Sequence, residues 1–241
     1  MRTIRLDKFL SVTGTLSRSE AKKAIRKGRV WVNGRPASSA ELEVFPENDK
    51  ITLDAKEIIY RRFTYVMLNK PEGYVSATND SRDKTVLELL PDELRRLDLF
   101  PCGRLDKYTL GLMLLTDDGE LAHKLLAPKS HVEKSYRFGA QAPVSEEERL
   151  MLEGGVHIAG GYMTKPARVV LDENDASSGV ITLREGKYHQ IKQMFEAISN
   201  KIIYLERISF GPLVLDGKLS RGEWRMLSLE EESALKASVE K

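Results

Sequence analysis

Cysteine is almost absent from this chain: Cys102 is the single one. That excludes an intrachain disulfide and a cysteine-rich zinc site. Long apolar runs are missing as well. No stretch approaches the ~20 residues that a helix needs to cross a bilayer. Met1-Arg2-Thr3-Ile4-Arg5-Leu6-Asp7 lacks the apolar segment of a secretory signal. Internal repeats and low-complexity segments are also lacking. These absences predict a soluble, cytoplasmic protein without membrane partners. What is present suffices for a packed core: 241 residues, 41% of them hydrophobic, fit one large domain or a small one plus a medium one.

Net charge is only +2, yet it is unevenly spread. From Arg2 to Arg35 there are ten Lys and Arg against two Asp and Glu, an excess of +8, so the rest of the chain carries −6. A basic head on a mildly acidic body suits a polyanion partner, although an ordinary solvated helix face would look the same.

Hydrophobic spacing orders the head. Leu6, Phe9 and Leu10 predict a helix over Arg5–Val12, ended by Gly14. Ser17 and Glu20 form a capping-box signature for a second helix, Arg18–Lys27, with Ala21, Ala24 and Ile25 inward and Gly28 as the stop. Arg18, Lys22, Lys23, Arg26 and Lys27 then face water. Arg29–Arg35 alternates and contains Asn33-Gly34, a hairpin signal. Short strands are expected around Glu41–Phe45 and Lys50–Leu53, and a charged linker over Lys56–Arg62.

From Phe63 the pattern becomes strand-rich. Strands are expected at Tyr65–Pro71, Leu112–Thr116, Glu133–Phe138, Thr164–Leu171, Val180–Arg184 and Lys201–Ile208. Helices are expected at Thr85–Leu90, Glu120–Leu126 (closed by Pro128), Glu146–Gly154 and Tyr188–Ile198. The irregular mixture predicts an α+β fold with a mixed, mostly antiparallel sheet flanked by helices. Residues 1–58 would form the small domain and 63–241 the large one.

Three segments could carry chemistry. Cys102-Gly103-Arg104-Leu105-Asp106-Lys107-Tyr108-Thr109-Leu110-Gly111 holds one carboxylate in a polar loop ahead of a buried strand. Glu133-Lys134-Ser135-Tyr136-Arg137 alternates an aromatic with cations. Leu183-Arg184-Glu185-Gly186-Lys187-Tyr188-His189-Gln190-Ile191-Lys192 turns a strand into a helix whose first turn would hold Lys187, His189 and Lys192. By itself Asp106 reads as a turn or cap residue, Tyr136 as half-buried core and Lys192 as a solvated charge. Asp117 and Asp118 read as turn and N-cap residues, and Cys102 as a small packed one. No second His, Cys or carboxylate lies at metal spacing from His189.

The head, through Arg5-Leu6-Asp7-Lys8-Phe9-Leu10, Ser17-Arg18-Ser19-Glu20-Ala21 and Gly28-Arg29-Val30-Trp31-Val32-Asn33-Gly34, resembles the S4 RNA-binding module. The three segments above, with Asn69-Lys70-Pro71-Glu72-Gly73-Tyr74 and Leu219-Ser220-Arg221-Gly222-Glu223-Trp224-Arg225-Met226-Leu227, resemble the pseudouridine synthases. Within them the likeness is to the ribosomal RNA branch, and Tyr188-His189-Gln190-Ile191-Lys192 is similar to the small-subunit (16S) rRNA type.

The resemblance implies isomerisation of one uridine in 16S rRNA, with no metal and no organic cofactor. It implies Asp106 as the catalytic carboxylate, Lys192 as its basic partner, Tyr136 stacking on the flipped base and Leu183 packing the other side. Arg104 would hold phosphate or the vacated gap. Arg5, Lys8, Arg18, Lys22, Lys23, Arg26, Lys27, Arg29, Lys134, Lys187 and His189 would contact RNA. The partner would be rRNA or a small-subunit assembly intermediate, and the protein a monomer. The same chemistry on 23S rRNA, or an inactive RNA-binding assembly protein, are the alternatives. Tyr108 and Leu110 depart from the family pattern, which has a second Asp and a small residue there.

Overall fold

The computed structural model describes residues 3–127, 129–130 and 132–240. The chain divides into two units, Met1–Arg62 and Phe63–Lys241.

In the first unit the expected caps form. The Glu20 amide donates to Ser17 Oγ, and the Ser17 amide donates to Glu20 Oε2 at 2.8 Å. This starts the helix Arg18–Arg26, which follows the helix Leu6–Val12. Leu6, Phe9, Leu10, Ala21, Ala24 and Ile25 are buried in one core with Val30, Val44 and Ile51. Val30–Val32 and Arg35–Pro36 pair across Asn33-Gly34, both at positive φ (51° and 76°), the backbone a tight two-residue hairpin demands.

The expected linker over Lys56–Arg62 is corrected. Lys56–Glu57 pairs with Ile51–Leu53, and Ile58 and Tyr60 pack on the core, the Tyr60 ring 5.7 Å from Phe9. Charged neighbours hid the short alternation that half-buries these two side chains.

The second unit is built on a nine-stranded sheet. Its order is Arg168–Leu171, Ser178–Leu183, Lys134–Ala140, Ile202–Phe210, Leu110–Thr116, Tyr65–Lys70 and Trp224–Met226. Phe100–Pro101 and Leu213–Val214 attach at its sides. Every pair is antiparallel except one: Ile202–Phe210 runs parallel to Leu110–Thr116, with Glu206 opposite Leu110 and Arg207 opposite Gly111. The α+β class and the mixed, mostly antiparallel sheet are therefore as expected.

The run Leu112–Leu115 does not alternate because both sides of its strand are covered. Leu112 and Leu114 enter a core with Cys102, Leu125 and Phe210, whereas Met113 and Leu115 enter another with Val66, Leu68 and Leu105. A third core gathers Phe138, Leu183, Ile191, Met194, Phe195 and Ile198.

Several boundaries shift. The strand expected at Thr164–Leu171 starts at Arg168, because Pro166 has no amide to donate and the Thr164 hydroxyl instead accepts from the Val156 amide. Thr85–Leu90 is a 3-10 turn at Val86–Leu89, followed by an unforeseen short helix, Asp92–Arg95. Asp118 caps the helix Gly119–Leu126, as expected of it; Pro128 lies outside the described residues. The helix Leu229–Ala237 was not foreseen, and only Glu232 and Leu235 on it are buried. Among the described residues no helix is long and apolar enough to cross a membrane.

Candidate functional site

The sheet's parallel junction lies directly after the Asp106 loop. Gly111, opposite Arg207, has φ +97°, and a Cβ there would stand 2.3 Å from the Arg207 carbonyl oxygen. Only glycine allows so close an approach of the two strands. One row of paired residues crosses the sheet here: Lys70 beside Gly111, Gly111 beside Arg207, Arg207 beside Tyr136 and Tyr136 beside Ile181. Motifs far apart in sequence thus converge on one line.

The opening motif holds the Asp106 loop by its backbone. Lys70 is fully buried, and its ammonium donates to the carbonyls of Pro71 (3.0 Å), Lys107 (3.2 Å) and Thr109 (2.9 Å). The Ser76 hydroxyl exchanges hydrogen bonds with the Leu105 carbonyl and amide at 2.8 and 2.9 Å. The Gly73 amide donates to the Lys107 carbonyl at 2.9 Å. Within the loop the Thr109 amide donates to the Asp106 carbonyl at 3.0 Å, closing a turn with Lys107 and Tyr108 at its tip. Lys107 is anchored to Asp83 at 2.5 Å.

The Asp106 carboxylate itself is held by two groups from the opposite motif. Lys192 Nζ is 3.0 Å from Oδ2, and His189 Nε2 is 3.2 Å from Oδ1. The Asp106 side chain keeps 28% of its exposure, so it is fixed yet open to a ligand. The helix carrying Lys192 is Gln190–Ala197; Tyr188 and His189 precede it. Its expected first turn with Lys187 and His189 is thus corrected: His189 is the N-cap, in a left-handed conformation (φ 49°) that breaks the helix and brings the imidazole to Asp106.

That turn is braced from beneath. Gln190 Nε2 donates to Glu185 at 2.7 Å, and its oxygen accepts from the Lys187 amide at 2.8 Å. Glu185 also accepts from the Tyr162 hydroxyl and the Lys165 amide. Burial alone would raise the Glu185 pKa, but these three donors bring it below the usual carboxylate range.

Two further cations lie under the site. Burial lowers the Lys70 ammonium to about 8, with nearby Asp106 opposing the fall and Arg207 adding to it. Arg207, 2% exposed, donates to the Leu112 carbonyl at 2.7 Å, packs on Phe210 and pairs with no carboxylate among the described residues. Burial pushes the Cys102 thiol up to about 12, in keeping with its expected role as packing.

The remaining sequence candidates fall into groups. Tyr136 is half-buried and packs against two cores, one containing Leu105 and the other Leu183. Leu183 is 3% exposed. Arg104 is exposed with no hydrogen-bond or ion-pair partner among the described residues, and so are Lys8, Arg18, Lys22, Lys23, Arg26 and Lys27. Arg5 and Arg29 are exposed but paired, Arg5 with Asp7 and Glu41 at 3.0 Å each and Arg29 with Asp54. Lys187 lies over the Tyr162 ring at 4.3 Å. Lys134, expected among the RNA contacts, is half-buried: its amine donates to the Val132 carbonyl at 2.9 Å, and burial beside Arg207 lowers it to about 8.

Lys70, Ser76, Glu185 and Arg207 were missed as site-building residues. Lys70 alone had a readable signal, a lysine between an apolar strand and a proline.

Asn69 ties the C-terminal motif to the same frame. It donates to the Leu219 carbonyl at 2.8 Å and accepts from Arg221 at 2.6 Å.

Comparison with known proteins gives consistent matches. Residues 64–197 match the RNA pseudouridylate synthase family, and residues 4–49 match the S4 domain. An uncharacterized RNA pseudouridine synthase of Bacillus subtilis (strain 168), YtzG, is 47% identical over 95% of this chain and 96% of its own. The ribosomal small subunit pseudouridine synthase A of Escherichia coli (strain K12) is 38% identical over 95% and 98%. A crystal structure of a pseudouridylate synthase superposes with a TM-score of 0.67, at 37% identity, over 96% of this chain and 99% of the other.

Proposed function

This chain belongs to the RNA pseudouridylate synthase family and carries an S4 domain, and on that premise we propose that it converts one uridine of small-subunit (16S) ribosomal RNA to pseudouridine. The observation that carries this reading is the Asp106 carboxylate, gripped on both oxygens by Lys192 and His189 yet still open to solvent. The small-subunit target is supported by the 38% identical Escherichia coli synthase and by Tyr188-His189-Gln190-Ile191-Lys192.

The reaction detaches uracil from its ribose carbon, turns it and rejoins it through C5. A carboxylate serves this either by attacking ribose or base, or by accepting a proton from the sugar. Both roles need the carboxylate held in a fixed place, which the contact with Lys192 at 3.0 Å provides. Extruding the uridine costs a few kcal/mol. Tyr136 offsets this by stacking on the base, with Leu183 on the pocket's other side and Arg104 on phosphate. Lys8, Arg18, Lys22, Lys23, Arg26 and Lys27 supply contacts to phosphate that position RNA without reading its sequence. The first unit, Met1–Arg62, acts as the RNA-gripping domain and the second, Phe63–Lys241, as the catalytic one.

The test is site mapping of pseudouridine in ribosomal RNA from cells with and without the protein. One small-subunit uridine is expected to lose its modification. Loss from large-subunit RNA would overturn the target, and no loss in any RNA would overturn the proposed activity.

A further inference from the structure

Tyr188 and Tyr108 are the two most exposed aromatic side chains among the described residues, at 73% and 67%. An exposed ring beside a cationic site presents a flat face on which a base can stack. Both belong to the immediate surroundings of Asp106. Tyr108 stands at the tip of the turn that Asp106 and Thr109 close. Tyr188 stacks on His189, ring centroids 3.9 Å apart and 17° from parallel, and His189 is the group that contacts Asp106 Oδ1. One face of Tyr188 is therefore covered by an imidazole of the site.

Both turns are rigidly set. The Tyr108 turn is held by Lys70, Gly73 and the Lys107–Asp83 ion pair. The Tyr188 backbone carbonyl accepts from Gln193 at 2.6 Å. Cations accompany both: Lys107 Nζ is 6.0 Å from the Tyr108 ring, Lys187 adjoins Tyr188 in sequence, and Arg104 has no partner among the described residues. Flat apolar faces interleaved with unpaired or partly paired cations match unstacked bases joined by phosphates.

Removing a uridine from a stack leaves its neighbours without stacking partners. We propose that Tyr108 and Tyr188 are stacking platforms for the bases flanking the extruded uridine. The substrate is then RNA whose target lies in an unpaired or easily opened segment, selected by shape more than by flanking sequence. This rests on the proposed synthase activity and adds to it the form of RNA that the site accepts.

The test uses the full-length protein with transcripts of small- and large-subunit ribosomal RNA. Tyr108→Leu and Tyr188→Leu keep apolar bulk but remove the ring; Tyr108→Phe and Tyr188→Phe keep the ring. Each Leu variant is expected to bind the small-subunit transcript about five- to 150-fold more weakly, the loss that one base–aromatic stack predicts. The Phe variants should recover most of that loss. Transcripts carrying 5-iodouridine, which photocrosslinks to stacked aromatic rings, should attach to the peptides containing Tyr108 and Tyr188. Leu variants that bind within twofold of the parent protein, or crosslinks confined to other peptides, would overturn the platforms. A parent protein that binds and crosslinks through these tyrosines but forms no pseudouridine would leave the platforms standing and sink the proposed activity instead.

Discussion

The cations of the first unit and those around Asp106 are used in opposite ways. On the helix Arg18–Arg26 and its C-cap Lys27, the side chains of Arg18, Lys22, Lys23, Arg26 and Lys27 are exposed, with no hydrogen-bond or ion-pair partner among the described residues. In the second unit Lys192 grips a carboxylate, Lys70 is sealed among three carbonyls, and Arg207 is buried against a carbonyl and a ring. An exposed, mobile ammonium keeps its hydration until phosphate arrives, so it provides affinity that salt can erase. A buried one has already been desolvated during folding. Its field and hydrogen bonds are therefore available to hold Asp106 and its loop without further reorganisation. The same residue type serves grip in one region and geometry in the other.

The largest expected effect comes from the geometry side. Asp106→Asn should lower pseudouridine formation by at least about 100- to 10,000-fold, the range of a lost acid–base or nucleophilic group. Binding of ribosomal RNA should persist in a filter assay. Retained turnover would mean that the gripped carboxylate is not the reacting group.

Glycines sharpen the contrast next. Gly28 and Gly111 both have positive φ, but a Cβ at Gly28 meets open space, whereas one at Gly111 meets the Arg207 carbonyl at 2.3 Å. Gly28→Ala should cost about 1 kcal/mol from backbone strain alone, and Gly111→Ala about 3 kcal/mol or more. Urea midpoints for the two variants measure the difference; equal shifts would show that the parallel junction yields easily.

On the grip side, neutralising Lys22, Lys23 and Lys27 together should weaken RNA binding and reduce the slope of log K against log salt by about 2. An unchanged slope would remove this helix from the RNA contact. Asp106→Asn should leave that slope alone.

The smallest effect is a pH dependence. Lys70 and Lys134 each fall to about 8 from 10.5 on folding. Between those values the unfolded chain holds protons that the folded chain has released, so their contribution to stability rises with pH from about 8 upward. Below that range both states are protonated and the cost of burying the charge is present in full. Cys102, pushed up to about 12 from 9.0, works in the opposite direction above pH 9. The comparison is therefore between the parent protein and Lys134→Met at pH 7.5 and 9. The variant should show a flatter rise in its urea midpoint, and an identical rise in both would place the titration elsewhere. Activity should fall over the same interval, because a neutral Lys70 holds the loop carbonyls more weakly.

Much of this could be read along the chain. Ser17 and Glu20 announced their helix, Asn33-Gly34 its hairpin, and Leu112–Leu115 a strand covered on both sides. The helix that carries Lys192 was expected over Tyr188–Ile198, and Ile191, Met194, Phe195 and Ile198 are its buried side chains. Less legible were features made by residues that meet only after folding. His189, expected to contact RNA, also meets Asp106, and that contact depends on the left-handed turn at its own position. Lys134 looked like a surface cation on an alternating strand, but the core around Phe210 drew its stem inward. Ile58 and Tyr60 looked like linker because charged neighbours mask a two-residue alternation.

By itself, the sequence determined the local states: which segments coil or extend, where they are capped, and that one acidic residue sits in a loop ahead of a buried strand. Those follow from interactions between residues a few positions apart. The resemblance implied that Lys192 would meet Asp106; only the tertiary structure decided that His189 would join them, across more than 80 positions, and that Lys70 would hold the loop across nearly 40. Such contacts depend on the parallel pairing of Arg207 with Gly111. That pairing is set by how the whole sheet closes and by the missing Cβ that lets two backbones approach, and no local pattern encodes it.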